Sequence, residues 1–363
     1  MRYLIKRTLI GLLLTATIIL STTPLEAREM LWFGPVGKLP PRITSDLVIA
    51  PSETVINQPT QLSLIGGGFD YEMPIWMTET NDVSFLGGTH LTSLDTGAIL
   101  PDSNVPLPHK FWDIRFGPAY RHKFNNKWVL GAMFEMGSAS DEPFANYKNL
   151  TIMTNAFLRI PAKKHDSWII LLNYMNNREY LPHIPLPFGG YFMNRKKLRA
   201  FFGIPLALNI FPENKVSFEL FYAPIAVVKA KVKTKVSKSV SFITGFNWNN
   251  YRYFRDGRTD KKDRLFYYEK RIYGGIEIAP DMRAKATLRV GYSFNRNLFE
   301  SQSFWDRDYN RINVKAGPYA RLELKLMLVS EKMLRRELEK YKRLMSDEDE
   351  QGESDADILS LHK

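Results

Sequence analysis

The sequence predicts an all-β fold, a transmembrane antiparallel up-and-down β-barrel of 12–14 strands. Apolar residues occupy alternate positions over most of the chain, short turns alternate with longer links, and aromatic residues gather near strand ends. The alternation is plain from residue 110 onward. Trp112, Ile114, Phe116, Pro118 and Tyr120 lie opposite Asp113, Arg115, Gly117, Arg121 and Lys123. Near the end, Ala284, Leu288, Val290, Tyr292 and Phe294 oppose Arg283, Lys285, Arg289, Ser293 and Asn295, and the even positions from Ile312 to Leu328 oppose Lys315, Arg321, Glu323 and Lys325. Successive side chains of a strand point to opposite faces, so one face is apolar and the other wet.

Between these segments the same parity recurs over 128–138, 150–160, 168–176, 198–210, 216–222, 226–236, 240–252 and 266–278. Glu135, Asn155, Arg159, Asn173, Glu219, Asn247, Glu269, Arg271 and Glu277 fall on the odd, inward set. Earlier strands are expected at about 63–77 and 83–94. The segments number twelve or thirteen. A closed bacterial barrel needs an even number, and a fourteenth strand would lie in 43–57.

A soluble sandwich can carry the same alternation. The connections favour a membrane barrel. Tight turns at Phe124–Lys127, Ala162–His165, Pro212–Lys215 and Ala279–Met282 alternate with mostly longer links at 95–109, 179–197, 254–264 and 297–311. Trp112, Trp128, Trp168, Trp248, Tyr251, Tyr253 and the run Phe266-Tyr267-Tyr268 would form interfacial girdles.

Arg2, Lys6 and Arg7 precede the apolar run Leu9–Leu20, which reads as a secretory signal peptide ending at Ala27. The expected organisation is a signal peptide over 1–27, a periplasmic segment over 28–61 that could supply one strand, and the barrel over 62–328. A helix over 329–345 and a disordered acidic tail over 346–363 follow. Aromatic residues are 13% of the chain at a mean hydropathy of −0.26, a pattern of dispersed rather than blocked apolar residues. Cysteine is absent, which excludes disulfides and thiol chemistry. The formal charge is +12, but no nucleic-acid module accompanies it.

The stretches Gly68-Phe69-Asp70-Tyr71-Glu72-Met73-Pro74 and Gly137-Ser138-Ala139-Ser140-Asp141-Glu142-Pro143-Phe144, with the alternation and the leader, resemble an uncharacterised family of bacterial outer-membrane β-barrels known only as a domain of unknown function. The resemblance covers about residues 62–328. It implies the barrel fold and location in the outer membrane, and it implies no activity.

No enzyme is expected. Among the histidines, His122 and His165 lie beside or within turns, and His109, near Asp113, has no serine at a convincing position. No metal or cofactor is expected either: Asp141, Glu142, Asp256, Asp260 and Asp263 lack calcium-loop spacing, and no helix opens after Gly66-Gly67-Gly68. The suggestive constellation is basic. Lys229, Lys231, Lys233 and Lys235 occupy consecutive inward positions of one strand, and Arg283, Lys285, Arg289, Arg321 and Lys325 occupy inward positions of the closing strands. Such a ladder would favour anions in a pore. Pairing with Glu219, Glu269, Glu277 and Glu323 would instead fill the lumen. The functional expectation is a pore or transporter for small polar, anion-biased solutes. Its rival is a non-conducting structural or adhesion barrel acting through its outer loops. Expected partners are outer-membrane lipid and lipopolysaccharide, the barrel assembly machinery and periplasmic chaperones, without nucleic acid. The sequence is silent on oligomeric state.

Overall fold

A computed structural model describes residues 34–328 except 164, 179–180, 214, 224–226, 259 and 282, and excepting the side chains of 212 and 213. The expected signal peptide, C-terminal helix and acidic tail lie outside the described residues. The strands are β1 (Arg42–Thr54), β2 (Gln61–Met77), β3 (Asn81–Thr96), the short ribbon of β4 (Ile99–Leu100) and β5 (Val105–Pro106), β6 (Lys110–Lys123), β7 (Val129–Ser140), β8 (Leu150–Pro161), β9 (Ser167–Met175) and β10 (Leu186–Arg195). They continue as β11 (Leu198–Gly203), β12 (Leu206–Glu213), β13 (Val216–Ala223), β14 (Val227–Lys235), β15 (Val240–Tyr253), β16 (Arg264–Ile278), β17 (Ala284–Ser301), β18 (Arg311–Val314) and β19 (Gly317–Met327). Each wall strand pairs antiparallel with its neighbours, and β1 pairs with both β2 and β19, which closes the sheet. β18 and β19 both pair with β17 and act as one interrupted strand, so the barrel has 16 strands.

That number corrects the expected 12–14. β1 is the strand allowed for at 43–57 in the otherwise periplasmic segment, so the barrel starts at Arg42 rather than at residue 62. The link 179–197 contains β10, and 198–210 holds two strands, β11 and β12, divided at Ile204-Pro205. The reason β10 hides is its phase. Pro187, Gly189 and Tyr191 face outward beside Leu172, Ile170 and Trp168, while Phe188 is buried inside, so apolar residues fall on both faces and no single stripe stands out. Proline and adjacent glycines also oppose strand propensity. A clasp holds the strand in place: Asp166, in the turn after β8, accepts from Arg195 Nη1 and Nη2 at 2.7 and 2.6 Å, from Asn194 N–H at 3.0 Å and from the Tyr191 hydroxyl at 2.7 Å.

Even residues face outward in most strands from β6 onward, and Ile170, Leu172, Ile272, Leu288, Val290, Leu322 and Leu324 are exposed there. The phase is opposite in β1–β3: Leu47, Ile49, Ile65 and Phe69 are exposed, and Asp70, Glu72, Asp82 and Ser84 are buried. Among the described residues no helix is long and apolar enough to cross a membrane, and the chain crosses with strands.

The wall is uneven in height. β15, β16 and β17 have 14, 15 and 18 residues, and β2 and β3 have 17 and 16, whereas β11, β12 and β13 have 6, 8 and 8. At the outer end the tall wall leans across the barrel to β6 and β7. The Phe254 N–H donates to the Ala139 carbonyl at 2.7 Å, and the Phe111 and Tyr253 rings stack at 4.8 Å. Leu62, Leu100, Leu107, Leu265, Leu298 and Ile312 fill this outer mouth as an apolar cluster.

Both described chain ends and the tighter turns lie at the opposite, periplasmic end. There Gly34–Pro41 runs inside the barrel. Arg121 Nη1 and Nη2 donate to the Gly34 and Pro35 carbonyls at 2.9 and 3.0 Å, and the Gly37 N–H donates to Asp82 at 2.6 Å. Gly37 has φ +81°, and a Cβ there would strike the Thr78 carbonyl, so glycine is required. Val36 and Leu39 pack with Leu86, Met133, Phe157 and Leu171 in a second apolar cluster.

Candidate functional site in the barrel lumen

Odd positions of β13–β17 and β19 and even positions of β1–β3 line one cavity, and closure of β19 on β1 brings acids and bases of distant sequence together. Most of the basic ladder gathers here, already engaged. Lys231 Nζ lies 2.6 Å from Glu219, and Lys233 Nζ and Lys285 Nζ lie 2.5 and 3.5 Å from Glu277. Arg289 meets Glu323 at 3.2 Å, and Arg321 meets Asp46 at 3.0 Å. Arg271 completes the set at 2.5 Å from Glu269. All four glutamates weighed against the ladder in the sequence therefore pair with cations. Lys229 lines the cavity described below, and Lys325 stands in register with Thr44 and Lys285. Lys235 is exposed at the end of β14. Arg283 belongs to the periplasmic turn, where its Nε and Nη2 donate to Asp281 at 2.9 and 2.6 Å. These bonds, with those from the Arg283 and Ala284 N–H groups, hold the Asp281 carboxyl below its usual range.

A second constellation escaped the sequence reading. His90 lies between two aspartates, its Nε2 3.0 Å from Asp70 and its Nδ1 3.6 Å from Asp46. Arg115 binds Asp70 at 2.5 Å and Asp113 at 2.8 Å, so a chain of polar contacts runs from Arg321 through Asp46, His90 and Asp70 to Arg115. Its sequence signal was the reversed phase of the first strands, where Asp46, Asp70, Glu72, Asp82 and His90 are all even-numbered. Gly68 and Gly88 make room for it: a Cβ on the first would strike His90, and on the second, Asp70.

The lumen retains a cavity of about 220 Å³ between these groups. Five carboxylates (Asp46, Asp70, Asp113, Glu219, Glu323) and six permanent cations (Arg115, Lys229, Lys231, Arg271, Arg289, Arg321) stand on its wall. The balance is nearly even, so the ladder gives the cavity little net charge. Tyr251, Tyr253, Tyr267 and Tyr273 form an aromatic flank, and Leu64, Leu220 and Phe221 an apolar one.

The remaining candidates are tied into loops. Asp256 accepts from Asn146 and Asn149 side chains at 2.5 and 3.0 Å, and Asp141 accepts from the Asp256 N–H at 2.7 Å. Among the described residues no three His, Cys, Asp or Glu side chains gather as metal ligands. His109 Nδ1 lies 3.3 Å from the Leu94 carbonyl. In the outer loop after β9, burial, then Arg264, pushes the His183 imidazole down.

A closed sheet with an apolar outer surface, a charged interior and short turns at the end holding both described termini defines a bacterial outer-membrane β-barrel, located in the outer membrane. No protein-family model and no curated protein matches the chain, so the likeness to an uncharacterised family stands on its motifs alone. Solved structures that resemble it include an outer membrane channel from Pseudomonas putida F1, with 9% identity over 81% of this chain and 96% of that one at a TM-score of 0.33. OccK7 (OpdD) of Pseudomonas aeruginosa gives 9% over 80% and 98% at 0.36, and the Pseudomonas putida toluene transporter TodX gives 8% over 85% and 95% at 0.34. At these values the class rests on the chain's own geometry.

Proposed function

We propose that this barrel is a transport protein that passes small polar solutes through a constricted lumen. The carrying observation is the charged cavity of about 220 Å³ inside a 16-strand wall. Barrels of 16–18 strands are wide enough for an aqueous passage, and rings of charged side chains select what passes. Segment 34–41 and the outer apolar cluster lie across the path, so transport on this reading is gated. The reading assigns no catalytic step. The protein sits among outer-membrane lipid and lipopolysaccharide, with the assembly machinery and periplasmic chaperones as its folding partners.

Planar-bilayer recording of the full-length refolded protein tests the proposal. Small ohmic steps are expected, and their absence at every salt concentration would remove it. The same absence would favour a structural barrel that acts through its outer loops, a reading to which the Phe111–Tyr253 closure lends weight.

A further inference from the structure

We infer that the periplasmic end of the lumen is a peptide-binding site, and that the chain's own Gly34–Pro41 occupies it as a dissociable plug. The site stands on its own contacts. Its role as the gate deepens the transport reading and rests on it.

Gly34–Pro40 joins no strand ladder, and wall side chains hold it instead. Arg121 of β6 and Arg159 of β8 both donate to the Gly34 carbonyl, at 2.9 and 3.2 Å, and Arg121 reaches the Pro35 carbonyl at 3.0 Å. Asp82 of β3 accepts from the Gly37 N–H at 2.6 Å. Val36 and Leu39, 7% and 2% exposed, supply the apolar contacts. The match is chemical as well as steric. Pro35, Pro40 and Pro41 carry no N–H, so the segment presents more acceptors than donors to the two guanidinium groups. The ligand class is therefore a short proline-rich peptide with a glycine at its bend and an apolar side chain on either side of it.

The site keeps its charge balance without its occupant. Arg121 Nε donates to Asp82 at 3.0 Å within the wall, so both charges stay paired when the segment leaves, and periplasmic water takes over the vacated bonds. The outer closure differs. It is made by the ends of wall strands and their loops, with Phe254 bridged to Ser140 and Asp256 bonded to Asn146 and Asn149. Of the two obstructions, the plug is the one that can leave with the wall intact.

The test keeps the full-length chain and changes the plug alone. Gly37→Val sets a Cβ against the Thr78 carbonyl, so it should unseat the segment without altering any wall residue. Loss of one buried hydrogen bond to a charged group should lengthen the open time in planar bilayers at least about ten-fold. A dye-labelled peptide of residues 34–41 should bind that variant in detergent and shut it in the bilayer. It should bind the parent at least about ten-fold less tightly, because the tethered segment competes at high effective concentration. The same peptide carrying Gly37→Val should neither bind nor block. Val36→Asp is the second plug variant, with the same expectations, should the first not fold. Equal open times in the parent and both variants, or a peptide that binds parent and variants equally, would overturn the inference. Peptide binding without conductance steps in any form would keep the site and reject transport, whereas steps that neither the plug variants nor the peptide alter would keep transport and reject the plug.

Discussion

The tall wall, β15–β17 with β1–β3, and the short wall, β9–β14, solve the same problem with different chemistry. The tall wall fills its inner face with ion pairs: Arg42–Glu72 at 2.8 Å, with side chains 3% and 2% exposed, Arg271–Glu269, and Arg289–Glu323. The short wall relies more on Leu171, Met175, Phe188 and Phe221, and on an amide bond from Asn173 to Asn155 at 2.6 Å. The apolar side follows the N-terminal segment, whose Val36 and Leu39 pack against it. The contrast teaches that a wide lumen can be filled from one side by oil and from the other by salt, with the cavity left near the boundary.

The sharpest way to break the comparison is to remove one charge from the tall wall. Glu72→Ala should cost about 3–5 kcal/mol, because Arg42 loses its buried carboxylate, while Arg42→Met with Glu72→Leu should return to near the parent value. Urea midpoints read from the unboiled-gel shift would check both. A double variant as unstable as the single would show that the pair itself, not the loss of one partner, carries the stability. On the short wall, Phe188→Ala should cost about 3–5 kcal/mol through the cavity it leaves, and no partner change should rescue it.

How much was legible divides along the same line. The tall strands showed their alternation because long stretches such as 284–294 keep apolar residues on one parity, and Arg271, Glu269 and Glu277 were assigned inward from parity alone. β10 was missed and β11 and β12 were read as one segment, since strands of 6–10 residues interrupted by prolines or paired glycines leave too few positions for a period to register, and β10 is also reversed in phase. The ladder's residues were found, but its neutralisation by Asp46 was not. Asp46 sits at the opposite end of the chain from Arg321, and only closure of the barrel joins them. His90 received no role from the sequence for the same reason: its aspartates belong to β1 and β2, whose inward parity differs from that of the later strands.

A smaller loss is expected at the clasp that defines β10. Asp166→Ala removes an acceptor shared by Arg195, Asn194 and Tyr191, and should cost about 1.5–3 kcal/mol. Hydrogen exchange should show faster opening in Leu186–Arg195 and little change in β16. If exchange rose equally in both, β10 would not be an independent weak point. The smallest effect is reserved for the exposed periplasmic turn. A carboxyl whose folded value is depressed stabilises above its unfolded pKa and loses that contribution as pH falls. Asp281→Asn should therefore leave the midpoint at pH 7 almost unchanged and flatten only the acid limb below about pH 4. A large loss at neutral pH would mean the turn anchors far more than its hydrogen bonds indicate.

The pairing of β1 with β19 sets an order of events in biogenesis. Arg42 stands in register with Met327, so the two strands at the extremes of the wall form one seam, while Gly34–Pro41 runs through the bore immediately before it. Because the wall encloses that segment on every side and is open only at its ends, the segment can enter or leave only end-on, through the periplasmic mouth. The seam joins the first wall strand to the last, so the sheet stays unsealed until its final strand is in place.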